Sequence, residues 1–203
     1  MRKFVLLILS CLLSSCATRP GVPSDYKLDS ASKNGLVVGT ITYETSIGQY
    51  SLSWTSLDEK LPFIASVGYS MWPPLGPEFD DLLSAKGGTF AIEVPAGEYK
   101  LKRWFIRQGY IGHAAQNDIG ARFQVEAGKI TYLGNVNFQK NDEVALEDKA
   151  SRDIPALKAR FAAVKSSPIA FSISSGAKVE AIGGGSDRRF DSPSYIPIIV
   201  RSR

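Results

Sequence analysis

Residues 90–101 read FAIEVPAGEYKL. Phe90, Ile92 and Val94 alternate with Ala91 and Glu93, and Tyr99 and Leu101 resume the alternation after Pro95-Ala96-Gly97. A period of two marks a strand with one buried face, and a Pro-x-Gly break marks a turn. The stretch therefore predicts two strands joined by a tight hairpin. The pattern recurs at Val125-Glu126-Ala127-Gly128-Lys129-Ile130, which predicts a second hairpin. A third copy is missing, which argues against a solenoid.

Outward from these turns the period of two persists. LVVGTITY (36–43) is rich in β-branched residues, and Tyr50, Leu52 and Trp54 alternate with polar neighbours. FIASVGYSMW (63–72) is a longer strand candidate ended by Pro73-Pro74. Past Tyr99, Leu101, Arg103 and Phe105 alternate with Lys100, Lys102, Trp104 and Ile106. Ile119, Ala121, Phe123 and Val125 line one face, and Ile130, Tyr132, Gly134, Val136 and Phe138 another. Short strands bounded by Gly and Pro predict a mainly β chain, an antiparallel sandwich or barrel. Trp54 and Trp104 fall within alternating runs and are expected in the core.

The chain changes character after residue 148. Ile154, Leu157, Phe161 and Val164 lie at i, i+3, i+7 and i+10, a helical stripe. Asp153 is the expected N-cap, with Pro155 tolerated in the first turn. Ser166-Ser167-Pro168 stops the helix, which is expected to pack on the sandwich or cover a sheet edge. Ile169, Phe171 and Ile173 suggest another strand. Gly183-Gly184-Gly185-Ser186 reads as a link, and YIPIIV (195–200) as an edge strand because of Pro197.

Composition bounds the chemistry. The 203 residues are 44% hydrophobic and 22% charged, which excludes wholesale disorder. Two cysteines and one histidine argue against a disulfide framework and the usual zinc ligand sets.

At the N-terminus, Arg2 and Lys3 precede FVLLILSCLL (4–13), ten residues without a charge. About twenty apolar residues are needed to span a bilayer, so the pattern is that of a secretory signal. Leu13-Ser14-Ser15-Cys16 follows and resembles the lipobox of bacterial lipoproteins. The alternative cysteine, Cys11, has bulky Leu9 where a small residue is wanted. The resemblance implies a signal peptide over 1–15, cleavage before Cys16 and lipid on its thiol. It also implies a cell-envelope location, at the outer membrane facing the periplasm since no Asp follows the cysteine. Residues 16–34, rich in Pro, Ser, Asp and Lys, are expected to form a flexible tether. The formal charge of +4 falls by two when Arg2 and Lys3 are lost, too little to argue for a nucleic-acid partner.

The string 90–101 also resembles the Pro-x-Gly-x-Tyr element of transthyretin-like and carboxypeptidase-regulatory-like β-sandwiches. Ala127-Gly-Lys-Ile-Thr-Tyr-Leu-Gly134 is similar to the second hairpin of uncharacterised lipoproteins of that kind. The resemblance covers residues 35–148 and implies a transthyretin-like or Ig-like sandwich there, with 149–203 holding the amphipathic helix, the glycine link and an edge strand. It brings no active-site residues.

Residue patterns that carry chemistry are sparse. His113 with Asp118 is the sole basis for a triad, and no Gly-x-Ser-x-Gly elbow supplies a nucleophile; in a glycine-rich stretch His113 reads as a loop residue. Glu78, Asp80 and Asp81 lack the Asp-x-Asp-x-Asp-Gly spacing of a calcium loop and read as a solvated turn. No glycine run precedes a Lys-Ser or Lys-Thr, so none is a phosphate loop. Lys100, Lys102, Arg103 and Arg107, interleaved with Trp104 and Phe105, suit either an anionic partner or a solvated face with gatekeeping lysines. Tyr69, Met71 and Trp72, before the double proline, form the candidate binding surface for sugar rings or a protein, or else cap the core.

The sequence thus leads to a non-catalytic, lipid-anchored envelope protein without metal or cofactor. It would bind or scaffold envelope components, joined to the membrane through lipid on Cys16. A glycan-binding module for peptidoglycan or polysaccharide is the rival, and a hydrolase a distant third.

Overall fold

The computed structural model describes residues 21–44, 48–58, 62–68, 79–108, 111–115, 119–140, 143–172 and 186–190. The strands are β1 (Asn34–Tyr43), β2 (Gln49–Ser56), β3 (Phe63–Gly68), β4 (Phe79–Asp80), β5 (Ala85–Pro95), β6 (Gly97–Gln108), β7 (Ile111–Ala115), β8 (Arg122–Val125), β9 (Ile130–Phe138) and β10 (Val144–Glu147). Two helices, α1 (Ala150–Arg160) and α2 (Ala162–Ser166), precede β11 (Ile169–Phe171) and β12 (Ser186–Phe190). The chain is mainly β and forms two sheets. Sheet one runs β10-β9-β1-β5-β4, with β11 also on β9; sheet two runs β12-β7-β6-β2-β3, with β8 also on β6.

The inner faces meet in one apolar core. Val37, Ile41, Phe90, Ile92, Val136 and Phe138 face Tyr50, Leu52, Trp54, Tyr99, Leu101 and Trp104. Trp54 is fully buried, with its ring 6.3 Å from Phe63 in its own sheet and 6.1 Å from Phe90 in the other. Trp104 is buried as well, edge-on to Phe138.

Neither Ala-Gly turn is a hairpin. The 94–99 turn carries the chain from β5 in sheet one to β6 in sheet two, and the 125–130 turn returns it from β8 to β9. Alternation is identical whether a turn joins neighbours in one sheet or strands on facing sheets, so the pattern carries no sign of the difference. In the first arch the Tyr99 hydroxyl donates to the Pro95 carbonyl at 2.7 Å. In the second, Gly128 takes a left-handed φ of +66°, which glycine adopts without a Cβ clash.

The second arch also explains a departure from all-antiparallel pairing. Gly128 N–H donates to Asn34 O and Leu36 N–H to Lys129 O, at 2.8 and 3.0 Å. β9 therefore starts beside the start of β1 and runs parallel to it. β11 is also parallel to β9, and among the described residues every other pair is antiparallel.

Two register shifts redirect side chains. On β6 the pairing jumps from Ser53–Arg103 to Trp54–Leu101, leaving Lys102 as an extra residue. Trp104 therefore points inward with Leu101, while Arg103, Phe105 and Arg107 share the outer face with Lys100. This reverses the expected alternation beyond Leu101, because one inserted residue exchanges the two faces. On β9 the shift lies between Tyr132 and Asn135, so Leu133, Val136 and Phe138 turn inward while Asn135 and Asn137 share the outer face with Tyr132.

Sheet one is covered on its outer face too. Leu36, Val38, Ala91, Ile130 and Tyr132 pack against Leu157, Ala163 and Val164, with Val22, Tyr26, Leu28, Ile154 and Phe161 around them. This accounts for β1, whose residues from Gly35 onward are all buried: a strand covered on both faces reads as an apolar run. The described part of the expected tether belongs to this layer. Val22 N–H donates to Ala91 O at 2.9 Å, Ala162 N–H to Ser24 O at 2.8 Å and Ala96 N–H to Lys33 O at 3.0 Å. Residues 21–33 are a docked strap, since their few apolar side chains find an uncovered sheet face.

Candidate functional site

The geometry offers two polar assemblies, one beneath α1 and one on the outer face of sheet two. In the first, Asp153 is fully buried. Its Oδ2 accepts from Thr40 Oγ1 and from the Tyr132 hydroxyl, each at 2.7 Å, and its Oδ1 accepts from Arg152 Nε at 2.8 Å. Asn135 Oδ1 lies 2.8 Å from Thr40 Oγ1 and 3.1 Å from Thr42 Oγ1, and its amide donates to Glu147 Oε2 at 3.3 Å. Burial, then the Asp153 charge, then the hydrogen bond to Asp153 hold the Tyr132 hydroxyl far above the ordinary tyrosine range. Nearby, burial and then a hydrogen bond to Glu93 push Tyr26 up to about 12.

Asp153 is not an N-cap. The helix begins at Ala150 with Lys149 as its cap residue, and Asp153 sits inside the first turn. A carboxylate there favours the helix N-terminus, yet its partners are the sheet hydroxyls below. The assembly ties helix to sheet. With the Thr40 and Tyr132 hydroxyls, the Asn135 amide and Arg152 Nε all bonded to acceptors within the fold, it has the character of a clamp.

A second tie lies at the other end of α1. Arg160 Nη2 donates to Asp80 Oδ1 at 2.8 Å. Asp80 is buried, not part of a solvated turn, because it faces the helix from the edge strand β4. Asp81 is exposed.

The second assembly is the outer face of sheet two, on which no described helix packs. Ser51, Ser53 and Thr55 of β2 lie beside Ile64 and Ser66 of β3 and beside Lys100, Arg103 and Phe105 of β6. Ser51 and Ser66 share a hydrogen bond of 2.8 Å. Arg122 of β8 pairs with Glu98 at 3.1 Å on the same face. Of the four basic residues singled out in the sequence, Lys100, Arg103 and Arg107 share this face, and Lys102 is the bulge residue. Ser51 and Thr55 are buried within this face, and Ser53, the cations and the Phe105 ring make up its more accessible part.

His113 lies in β7 opposite Ile106, so it is a strand residue rather than a loop residue. Cys16, Tyr69, Met71, Trp72, Glu78, Asp118 and the 195–200 segment lie outside the described residues. Among the described residues no three His, Cys, Asp or Glu side chains gather as metal ligands, and no helix is long and apolar enough to cross a membrane.

The Asp153 assembly is absent from the sequence reading. Its signal is the pair of polar residues at alternate positions in two otherwise apolar strands, Thr40 and Thr42 on β1 and Asn135 and Asn137 on β9. Polar side chains repeating on the face of a buried strand call for a buried partner.

No family model matches the chain, and no curated protein matches it. Among solved structures it is similar to a leucine-rich repeat protein from Bacteroides thetaiotaomicron VPI-5482, at 19% identity and a TM-score of 0.32. The match covers 64% of this chain and 16% of that one. A likeness at that score carries no argument about fold or function.

Proposed function

We propose that the chain is a lipid-anchored envelope protein that binds or scaffolds other envelope components and has no catalytic role. The observation that carries this reading is Leu13-Ser14-Ser15-Cys16 directly after a short uncharged run. That arrangement suits lipid attachment at Cys16 and residence in a bacterial envelope, at the outer membrane. A transthyretin-like class for the sandwich belongs to the same reading, supported by the Pro95-x-Gly97-x-Tyr99 arch. The outer face of sheet one is taken up by α1, α2 and the strap, so the partner-binding role falls to the outer face of sheet two.

Glycan binding is the second reading. The Ser53 hydroxyl beside Lys100, Arg103 and the Phe105 ring offers groups of the kind that hold sugar hydroxyls and stack on sugar rings.

The test uses the living source bacterium. Cys16→Ser is expected to abolish incorporation of a clickable palmitate, and persistent labelling refutes the anchor. A photo-crosslinking residue at Arg103 is expected to give a discrete protein adduct missing from a control probe at the exposed Lys158. Adducts removed by a muramidase but not by protease favour the glycan reading. No adduct above the control removes sheet two as the binding face.

A further inference from the structure

The strap places the proposed anchor close to a particular side of the domain. Only Ala17–Pro20 lie between Cys16 and Gly21, a reach of at most about 18 Å when fully extended. The described chain then begins on the open edge of β5, where Val22 N–H is bonded to Ala91 O. A lipid on Cys16 therefore holds that edge within a short distance of the bilayer, whereas a free tether of residues 16–34 would leave the domain to tumble.

The same side carries exposed apolar side chains. Phe79 is 52% exposed and Leu82 48%, and both belong to the β4 turn at the end of β5. The α1–α2 junction joins this turn to the strap: Arg160 bonds Asp80, and two residues later Ala162 bonds Ser24. Along β5, Ala91 and Lys86, the partner of Phe79, are five residues apart, or about 17 Å. That separation fits a single footprint on a bilayer.

We propose that the β4–β5 edge, with Phe79 and Leu82, rests on the membrane that holds the anchor. The inference rests on the lipid-anchor reading. The occupant is a phospholipid surface, argued from the length of chain before Gly21 and the place where the docked chain begins. Apolar side chains of this kind gain from insertion at the headgroup boundary, although two alone bind a bilayer weakly without the lipid. In this orientation the β3 edge of sheet two, whose Val67 packs on Gly88 of β5, lies near the surface, while β6 and β8 at the far side of that sheet stay clear of it.

The experiment uses lipid-modified full-length protein processed in a bacterium and reconstituted in vesicles of phosphatidylethanolamine and phosphatidylglycerol containing nitroxide-headgroup lipid. Processing removes Cys11 and lipid occupies Cys16, so Leu82→Cys and Arg122→Cys each carry one free thiol for a bimane label. Arg122 is exposed on β8, at the far side of sheet two from β3 and β5. Quenching is expected to be several-fold stronger at position 82 than at 122, and Phe79→Cys should repeat the result independently. Equal quenching at 82, 79 and 122 on protein that floats with the vesicles overturns the contact and leaves the anchor standing. Protein that fails to float overturns the anchor and, with it, the contact.

Discussion

Replacing Asp153 with alanine removes the acceptor at the centre of the clamp beneath α1. The cost follows from what each donor has left. Thr40 Oγ1 keeps Asn135 Oδ1 at 2.8 Å, so its loss is small. The Tyr132 hydroxyl is buried and loses its 2.7 Å partner, at about 1–3 kcal/mol for an unsatisfied buried donor. The Arg152 side chain is 28% exposed, so water relieves part of its charge and its share is about 1 kcal/mol. The sum is about 3 kcal/mol, at the low end for breaking a buried ion pair. Asp153→Asn keeps the shape and one acceptor and is expected to cost about 2 kcal/mol. Urea unfolding of the Cys16→Ser chain at neutral pH measures both. A double-mutant cycle of Tyr132→Phe with Asp153→Asn should return a coupling of about 1 kcal/mol. A cost for Asp153→Ala below about 1 kcal/mol, or no coupling with Tyr132, refutes the clamp.

Four further outcomes are expected. A tyrosine whose folded pKa is raised contributes stability that is complete below its unfolded value near 10 and is lost as pH rises towards the folded value. Urea midpoints should therefore fall above about pH 10, at about 1.4 kcal/mol per pH unit for Tyr132, and Tyr132→Phe should flatten the fall. Arg160→Ala leaves Asp80 buried without its cation and should cost about 1–2 kcal/mol after allowance for the exposure of Arg160. Arg122→Ala, from an exposed pair with Glu98, should cost less than about 0.5 kcal/mol in the same unfolding assay. A Cβ on Gly39 would lie 2.6 Å from Phe90 Cζ and 2.8 Å from Gly134 O, so Gly39→Ala should lower stability by about 1–3 kcal/mol in thermal or urea unfolding.

What the sequence determined by itself was local. Alternation at Tyr50, Leu52 and Trp54 or at Phe90, Ile92 and Val94 specifies which side chains leave water, because a strand has only two faces. The stripe of Ile154, Leu157, Phe161 and Val164 falls on α1, α2 and the break between them for a similar reason, the period of a helix. Tertiary structure alone decided where the strands go. The 94–99 and 125–130 turns look like hairpins in sequence and join facing sheets in space. The bulge at Lys102 exchanges the faces of Arg103 to Arg107, since pairing with β2 sets the register and no single strand encodes its partner. Asp153 reads as a cap until Thr40 and Tyr132, more than a hundred and some twenty positions away respectively, arrive beneath it. The strap reads as a tether because polar composition records solubility, while docking depends on an apolar face offered by distant strands. Long-range pairing builds that face, and one segment's pattern holds no record of it.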